Sequence, residues 1–238
     1  MRRTSAAFSA PLALLLYSFL LALACSAPAA AASFAAAASF PCEKAQSRIE
    51  KAICADAELS QLDEYLARYY GGARAGLGAG AACLAADQRS WLSKTRNTCA
   101  DAACMKKAYL ERLGELHPLQ PGVTSLRNLE LPRVPALVWI IPPAQDNVAA
   151  PPKPNAPPLE VRGELFDDVA QGDGFLLRGA QGSTLLVMVM FIDDATASRL
   201  SVLAKMPNNS YFARGQAATS GGKIYYEPSR CVFLYRLP

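Results

Sequence analysis

Hydrophobic positions follow a helical period between residues 47 and 116. The pattern begins with a capping box: the Ser47 hydroxyl can accept from the amide of Glu50, whose side chain reaches back, so a short helix should run to about Asp56. The next helix has one buried stripe, formed by Leu59, Leu62, Leu66, Tyr69 and Tyr70. The glycines that are expected to break this helix are Gly71, Gly72, Gly76, Gly78 and Gly80.

Two further helices are expected before Pro118, which prevents continuation of the second one. The first presents a face formed by Leu84, Gln88, Trp91, Leu92 and Thr95. Asp101 can cap the second, whose inner face comprises Met105, Tyr109, Arg112, Leu113 and Leu116. Residues 39–117 are therefore predicted to form a small helical domain.

From residue 159 onward the pattern changes to short strand-like runs separated by turn residues. Strands are expected at Leu159–Phe166, Phe175–Gly179, Thr184–Ile192, Tyr211–Ala217, Gly222–Glu227 and Cys231–Leu237. A helix with an acidic start should separate the third strand from the fourth, at Asp194–Met206. This order is typical of a small Greek-key barrel of the OB type, in which Gly163 and Gly215 would mark sharp coiling of the strands. The predicted fold class is α+β in two domains, and an open α+β sheet is the alternative for residues 159–238.

The two domains are separated by residues 118–158, which contain 11 of the 17 prolines. Proline fixes the backbone and lacks an amide donor, so this segment is predicted to be an extended linker. An apolar run at Val134–Ile141 interrupts it and should dock as an edge strand, because Pro135 argues against a central position.

The chain begins with the features of a secretion signal. Arg2 and Arg3 precede an apolar stretch, Leu12–Ala24, that is too short to cross a bilayer and fits a signal peptide over residues 1–38. Cys25 follows Ala24 and is a candidate lipidation site; ordinary cleavage near Ala32 or Ala38 is the alternative. We expect a periplasmic or secreted protein with no transmembrane span in the mature chain. Attachment to the membrane by a lipid at Cys25 is the alternative form.

Charge and composition then narrow the function classes. The chain has 24 Lys+Arg and 20 Asp+Glu, a net charge of +4 that becomes about +2 without residues 1–38, so no nucleic-acid partner is expected. One histidine, His117, leaves little room for a His-based metal site or a catalytic triad, and its position at a helix end favours a structural role. We therefore predict no metal, no cofactor, no catalytic residues and no enzymatic activity.

Acidic pairs and aromatic residues give weaker indications of a metal, catalytic or carbohydrate-binding site. Asp167-Asp168 and Asp193-Asp194 are interpreted as turn and N-cap residues rather than as metal or glycosidase chemistry. Trp91 beside Arg89 suggests carbohydrate binding, but its helical spacing with Leu84 and Leu92 favours the core. In the barrel, the residues that would line a sugar-binding face are Tyr211, Tyr225, Tyr226 and Tyr235.

Six cysteines remain once Cys25 is set aside, an even number that favours disulfides in an oxidising compartment. Cys99 and Cys104 bracket the turn into the last helix, so a local bridge is plausible. Cys42 and Cys54 bracket the capping-box helix, and their pairing would pin the chain start. Cys83 and Cys231 would then pair by elimination and clamp the two domains together; a buried free thiol at Cys231 is the alternative.

The helical segment resembles the lysozyme-inhibitor LprI-like N-terminal family. The resemblance lies in residues 40–42 (FPC), 49–63, 87–92 (DQRSWL) and 96–99 (RNTC), together with Cys104, Tyr109, Arg112 and Leu116. It spans about residues 40–117, whereas Cys83 and the glycine-rich residues 71–80 depart from the family pattern. The motif residues expected at the centre of this domain are Gln88, Arg89, Trp91, Leu92, Tyr109 and Arg112.

The resemblance implies a small helical domain of the bacterial envelope and inhibition of lysozyme by protein–protein binding. The alternative function is a non-catalytic envelope module that recognises another protein or a glycan through the C-terminal barrel. The near-neutral charge weakens the case for electrostatically steered capture of a basic lysozyme.

Overall fold

Within the described residues, four helices come first, and a sheet accompanied by a fifth helix follows them. The computed structural model describes residues 38–121, 126, 129–144, 158–167, 174–179, 184–220, 223–226 and 230–238. The first four helices are α1 (Arg48–Ala55), α2 (Ala57–Gly76), α3 (Ala81–Lys94) and α4 (Ala102–Leu116). The predicted signal peptide and Cys25 lie outside the described residues, apart from Ala38.

The predicted caps form as the sequence indicates. Ser47 and Glu50 make both hydrogen bonds of the capping box at the start of α1. Asp101 caps α4 by accepting from the amide of Cys104. Asp56 adds a cap that was not predicted, by accepting from the amides of Glu58 and Leu59 at the start of α2. These carboxylates satisfy amides that have no partner within the helix, and they also complement the helix dipole.

The glycine-rich segment does not end α2 where the sequence predicts. The helix continues through Gly71 and Gly72 to Gly76, because Tyr69 and Ala73 are buried in the core and hold this turn in place. Burial of this face outweighs the low helix propensity of glycine, which amounts to about 1 kcal/mol per residue. The break comes at Gly78, whose φ of +51° lies in the left-handed region that glycine adopts readily.

The sheet contains seven described strands in the order β1-β7-β5-β2-β3-β4-β6. They are β1 (Ala136–Ile141), β2 (Pro158–Asp167), β3 (Gly174–Gly179), β4 (Thr184–Met188), β5 (Ser210–Ser220), β6 (Lys223–Tyr226) and β7 (Val232–Arg236), with α5 (Asp194–Ala204) between β4 and β5. Neighbouring strands are antiparallel except β4 and β6, which are parallel.

The second half of β5 also pairs with β6, so the run β5-β2-β3-β4-β6 returns to its starting strand. This ring, with one helix after its third strand, confirms the OB-like prediction in outline. Gly163 lies at a tight crossing, where a Cβ atom would collide with the carbonyl oxygen of Arg178. The sheet as a whole stays open, because β7 and β1 extend outward from β5 and leave β1 as an edge.

Strand β1 lies at the edge of the sheet, which confirms the edge strand predicted at residues 134–141. It also separates two hydrophobic cores. Leu137 and Ile140 pack with the buried residues of α1–α4, whereas Val138 and Ile141 pack with the interior of the sheet beneath α5. An irregularity in the pairing with β7 between Leu137 and Trp139 permits this arrangement. The apolar run inside the predicted linker therefore serves both cores.

The described residues contain three disulfides: Cys42–Cys54, Cys99–Cys104 and Cys83–Cys231. They are the pairs to which the spacing and elimination arguments lead, and Cys231 is not a free thiol. The bond between Cys83 on α3 and Cys231 before β7 joins the helical segment to the sheet. Together the three bonds indicate that the chain matures in an oxidising compartment.

Candidate functional site

An open groove lies between α3, α4 and the sheet. Its volume is 490 Å³, and we call it the junction groove. Its charged residues are Asp87, Lys94, Glu111, Arg112, Glu115 and Arg214. Its apolar and aromatic walls are formed by Trp91, Val134, Pro135, Phe212 and Tyr235.

The floor of the groove is built around Arg112 of α4, which is only 2% exposed. Its Nε donates to the side-chain oxygen of Gln88 at 3.1 Å, and its Nη1 lies 2.7 Å from Glu115 Oε2. Its Nη2 lies 2.8 Å from Asp87 Oδ2, an ion pair whose angle departs from that of a hydrogen bond. A buried guanidinium requires such partners, because an uncompensated charge in the interior is costly.

The same network continues into the sheet through Arg214 of β5. One Arg214 nitrogen lies 2.9 Å from Asp87 Oδ1 and also donates to the Tyr235 hydroxyl at 2.6 Å. The guanidinium carbon stands 4.9 Å above the centre of the Phe233 ring, a cation–π contact. Asp87 therefore forms ion pairs with two arginines, Arg112 from the helical segment and Arg214 from the sheet.

Electrostatics fixes the protonation state of this floor. Burial opposes the charge of Arg112, but the carboxylates of Glu115 and Asp87 outweigh that effect and raise its pKa. Burial likewise opposes the charge of Arg214, while Tyr235 and Asp87 raise its pKa. Burial and the nearby carboxylate of Glu115 raise the pKa of Tyr235. Both arginines thus stay charged and the Tyr235 phenol stays neutral at neutral pH.

Two aromatic pairs form the walls. Trp91 is partly buried and meets Tyr109 edge to face, with ring centres 5.6 Å apart. Phe212 is partly buried and stacks on Tyr235 at 5.9 Å, and the guanidinium of Arg162 lies 5.0 Å from its ring centre. Trp91 and Phe212 therefore each pack against a buried ring, and Tyr235 belongs both to the core and to the groove wall.

A second polar cluster surrounds Asp63 of α2. The Tyr109 hydroxyl donates to Asp63 Oδ1 at 2.7 Å, and both the amide and the hydroxyl of Ser39 donate to Oδ2. Arg96 adds an ion pair at 3.8 Å. Burial, followed by the charge of Asp63, raises the pKa of Tyr109. A cavity of 210 Å³ adjoins this cluster, and its polar groups already satisfy one another.

The connection between α3 and α4, residues 95–101, is held firmly, and we call it the stapled turn. The disulfide Cys99–Cys104 closes it, and Arg48 of α1 donates to the carbonyls of Cys99 and Ala100 at 2.7 and 3.2 Å. The Thr98 hydroxyl donates to the Thr95 carbonyl at 2.8 Å. Its exposed positions are Thr95, Asn97, Thr98, Ala100 and Asp101.

The motif residues predicted from the sequence divide into three groups. Gln88, Tyr109 and Arg112 are buried, and Trp91 and Leu92 are partly buried. Arg89 is exposed, so its predicted place at the centre of the domain is wrong. One residue along a helix turns the side chain by about 100°, which carries Arg89 away from the face that Gln88 presents to the core.

Other sequence candidates have structural roles. Asp193 caps α5 by accepting from the amide of Thr196, as predicted, and Asp167 accepts from the Ser201 hydroxyl at 2.6 Å. Tyr211 is fully buried and donates to the Leu203 carbonyl, so it does not line a sugar-binding face. The side chains of Tyr225 and Tyr226, and the whole of Asp168, lie outside the described part of the chain.

His117 has a partner that the sequence does not indicate: its Nδ1 lies 3.1 Å from the Tyr69 hydroxyl. Within the described ranges no group of three or more His, Cys, Asp or Glu side chains could hold a metal ion. No helix in the described part of the chain is long and apolar enough to cross a membrane.

Sequence reasoning missed the residues that make the groove. Asp87 opens the DQRSWL stretch and stands out only as part of that motif, and the local sequence around Glu115 and Arg214 gives no sign of their role. Asp87 and Arg214 are 127 positions apart and meet only in the folded chain. An indirect signal was available, since an arginine on the inner face of α4 requires an acidic partner.

Residues 42–121 match the model of a protein family described as Lysozyme inhibitor LprI. The match covers about a third of the chain, including all four N-terminal helices and the stapled turn, and it confirms the resemblance for these residues. Searches of curated proteins and of solved structures gave no significant match.

Proposed function

We propose that this protein inhibits a lysozyme by binding to it, and that the stapled turn enters the enzyme's cleft. The observation that carries the proposal is the family match over residues 42–121, the segment that contains this turn. The proposed role is non-enzymatic and requires neither a metal nor a cofactor.

The rigidity of the turn supports this role. A segment closed by Cys99–Cys104 and held by Arg48 loses little conformational freedom on binding, so more of its contact energy goes into affinity. Its exposed side chains are short, and all are polar except that of Ala100. A pre-organised turn with short exposed side chains suits a concave target.

The chemistry of the target also fits the turn. Lysozyme acts through two carboxyl groups that flank the scissile bond in its cleft. The amide of Asn97 and the ammonium of Lys94 beside the turn can donate to carboxylates. Because the chain is nearly neutral, we expect affinity to come from these contacts and association rates to depend weakly on salt.

The test is lysis of a bacterial cell-wall suspension by lysozyme, followed as loss of turbidity with increasing amounts of the purified protein. We expect stoichiometric inhibition of at least one lysozyme type. The variant Ala100→Arg, which adds bulk at the tip of the turn, should raise the half-inhibiting concentration about tenfold or more, as expected at an interface centre.

The matched control is Ala86→Arg, the same substitution at an exposed position of α3. It should leave inhibition unchanged. Equal losses for both variants would count against the turn as the inhibitory surface. Absence of inhibition at large molar excess over every lysozyme type would remove the function itself.

A second candidate function is a non-catalytic envelope module that binds a glycan. The junction groove favours it, because the groove joins the helical segment to the sheet and places partly buried aromatic rings beside fixed polar groups. Saccharide titration, described below, tests it.

The location that we propose is the periplasm or the cell exterior. The three disulfides support an oxidising compartment. Signal cleavage within residues 1–38, and lipid attachment at Cys25, remain predictions that mass spectrometry of the mature N-terminus tests.

A further inference from the structure

We infer that the junction groove is a binding site for a neutral oligosaccharide. This inference deepens the second candidate function, and it is independent of lysozyme inhibition by the stapled turn. It rests on three properties of the groove: its size, its charge and its aromatic walls.

The size fits a small ligand. At 490 Å³ the groove falls within the range of about 300–1,000 Å³ that is common for small-molecule sites. It lies where α3 and α4 meet the sheet.

The charge of the groove argues for a neutral ligand. Three acidic residues line it (Asp87, Glu111 and Glu115), and three basic residues balance them (Lys94, Arg112 and Arg214). The four on the floor already pair among themselves. A phosphate or a cation would find no net opposite charge, whereas hydroxyl groups can both donate to carboxylates and accept from guanidinium groups.

The donors and acceptors on the floor are fixed before a ligand arrives. Asp87 is anchored by Arg112 and Arg214, and Glu115 is anchored by Arg112. Arg214 keeps 44% of its side chain exposed, so guanidinium N–H groups beyond those used by Asp87 and Tyr235 remain accessible. Pre-organised polar groups avoid the ordering cost that flexible ones incur on binding.

The walls of the groove supply the apolar contacts that an oligosaccharide needs. Trp91 on α3 and Phe212 on β5 are partly exposed rings that line the groove. Trp91 belongs to the helical segment, and Phe212 belongs to the sheet. A sugar ring has C–H faces that pack on aromatic rings, while its hydroxyl edges reach polar groups. The Phe212 ring already contacts Tyr235 and the guanidinium of Arg162, and the part of it that lines the groove is apolar.

The experiment uses the fluorescence of Trp91. The chain has two tryptophans, and the other, Trp139, packs against both cores and donates to the Thr196 hydroxyl. In the disulfide-bonded variant Trp139→Phe, titration with chitotriose, cellotriose and maltotriose should give a saturable change for at least one sugar. Calorimetry on the unaltered protein should return the same dissociation constant.

Phe212→Ala should weaken binding about tenfold. Its matched control is Phe166→Ala, which truncates another partly buried phenylalanine beneath an arginine, Arg178, at 4.7 Å. Glu111→Gln, at an exposed rim position, should also weaken binding and cannot disturb the core. Circular dichroism checks that each variant is folded.

The inference is overturned if none of the three sugars gives a saturable signal at millimolar concentration. It is also overturned if Phe212→Ala and Phe166→Ala weaken binding equally, or if a sulfated oligosaccharide binds more tightly than the neutral ones. Loss of lysozyme inhibition in Phe212→Ala without sugar binding would assign the groove to a protein partner instead. Sugar binding with no lysozyme inhibition would support the inference and leave the stapled turn without its proposed role.

Discussion

Asp87 of α3 and Arg214 of β5 lie 2.9 Å apart although 127 positions separate them in the chain. This ion pair, together with the disulfide Cys83–Cys231, fixes the sheet against the helical segment. The groove between them therefore has walls whose separation is set by one covalent bond and one charge network.

Arg112→Ala should destabilise the protein by about 3–5 kcal/mol, because it leaves Asp87 and Glu115 as partly buried carboxylates without their central cation. Arg89→Ala is the matched control: the same residue type, exposed on α3, should change stability by less than about 0.5 kcal/mol. Urea unfolding measures both. A loss below about 1 kcal/mol for Arg112→Ala would mean that water compensates the carboxylates.

Removing the disulfide between α3 and the sheet should cost more than removing the one in the stapled turn. The loop-entropy relation gives about 5 kcal/mol for Cys83–Cys231 and about 2 kcal/mol for Cys99–Cys104, since the sequence separations are 148 and 5. Paired Cys→Ser variants, compared by thermal unfolding, test this order. The reverse order would indicate that the unfolded chain keeps the two segments together.

Two glycines close to one another should respond to alanine with opposite signs. Gly71 is helical with open space around its Cα, so Gly71→Ala should stabilise the protein by about 0.5–1 kcal/mol. Gly78 has φ of +51°, so Gly78→Ala should destabilise by about 1 kcal/mol. Urea midpoints measure both changes. Stabilisation by both variants would mean that the backbone at residue 78 can leave its positive φ without disturbing the fold.

Asp56 should contribute to stability at neutral pH and lose that contribution in acid. The ammonium of Lys106 and the amide of Leu59 hold its pKa below the ordinary value of 3.8. A carboxyl with a lower pKa in the folded chain stabilises above its unfolded pKa, and the contribution is lost as pH falls through the folded pKa.

The variant Asp56→Asn keeps a capping side chain but removes the charge. The stability difference between wild type and variant should be largest at neutral pH and should shrink well below pH 3.8. Urea unfolding at the two pH values measures it. A difference that stays constant with pH would show that the Lys106 pair contributes nothing.

Local signals predicted the elements well. The strands after residue 158, helix α5 and the caps at Ser47 and Asp101 depend on neighbours a few positions away, and the sequence displays them directly. The extent of α2 was not predictable in this way, because burial of Tyr69 and Ala73 overrides the glycines.

The junction groove could not be predicted from the sequence for a different reason: its residues come from distant parts of the chain. Arg112 was expected on an inner face, but its partners come from α3 and, through Asp87, from β5. Arg89, beside the same motif tryptophan, looked equally important and is exposed. Only tertiary structure distinguishes an arginine that organises a groove from one that faces water.

The bond between Cys83 and Cys231 also decides what a protease can release. A single cut anywhere between residues 104 and 231 would yield two fragments that remain one covalent molecule, because one cysteine of the pair lies on each side of the cut. Strand β1 would stay paired with β7 if the cut fell after Ile141. Nicked protein would therefore stay a single covalent molecule until a reductant was added, and the cut would go unnoticed in an electrophoresis run without one.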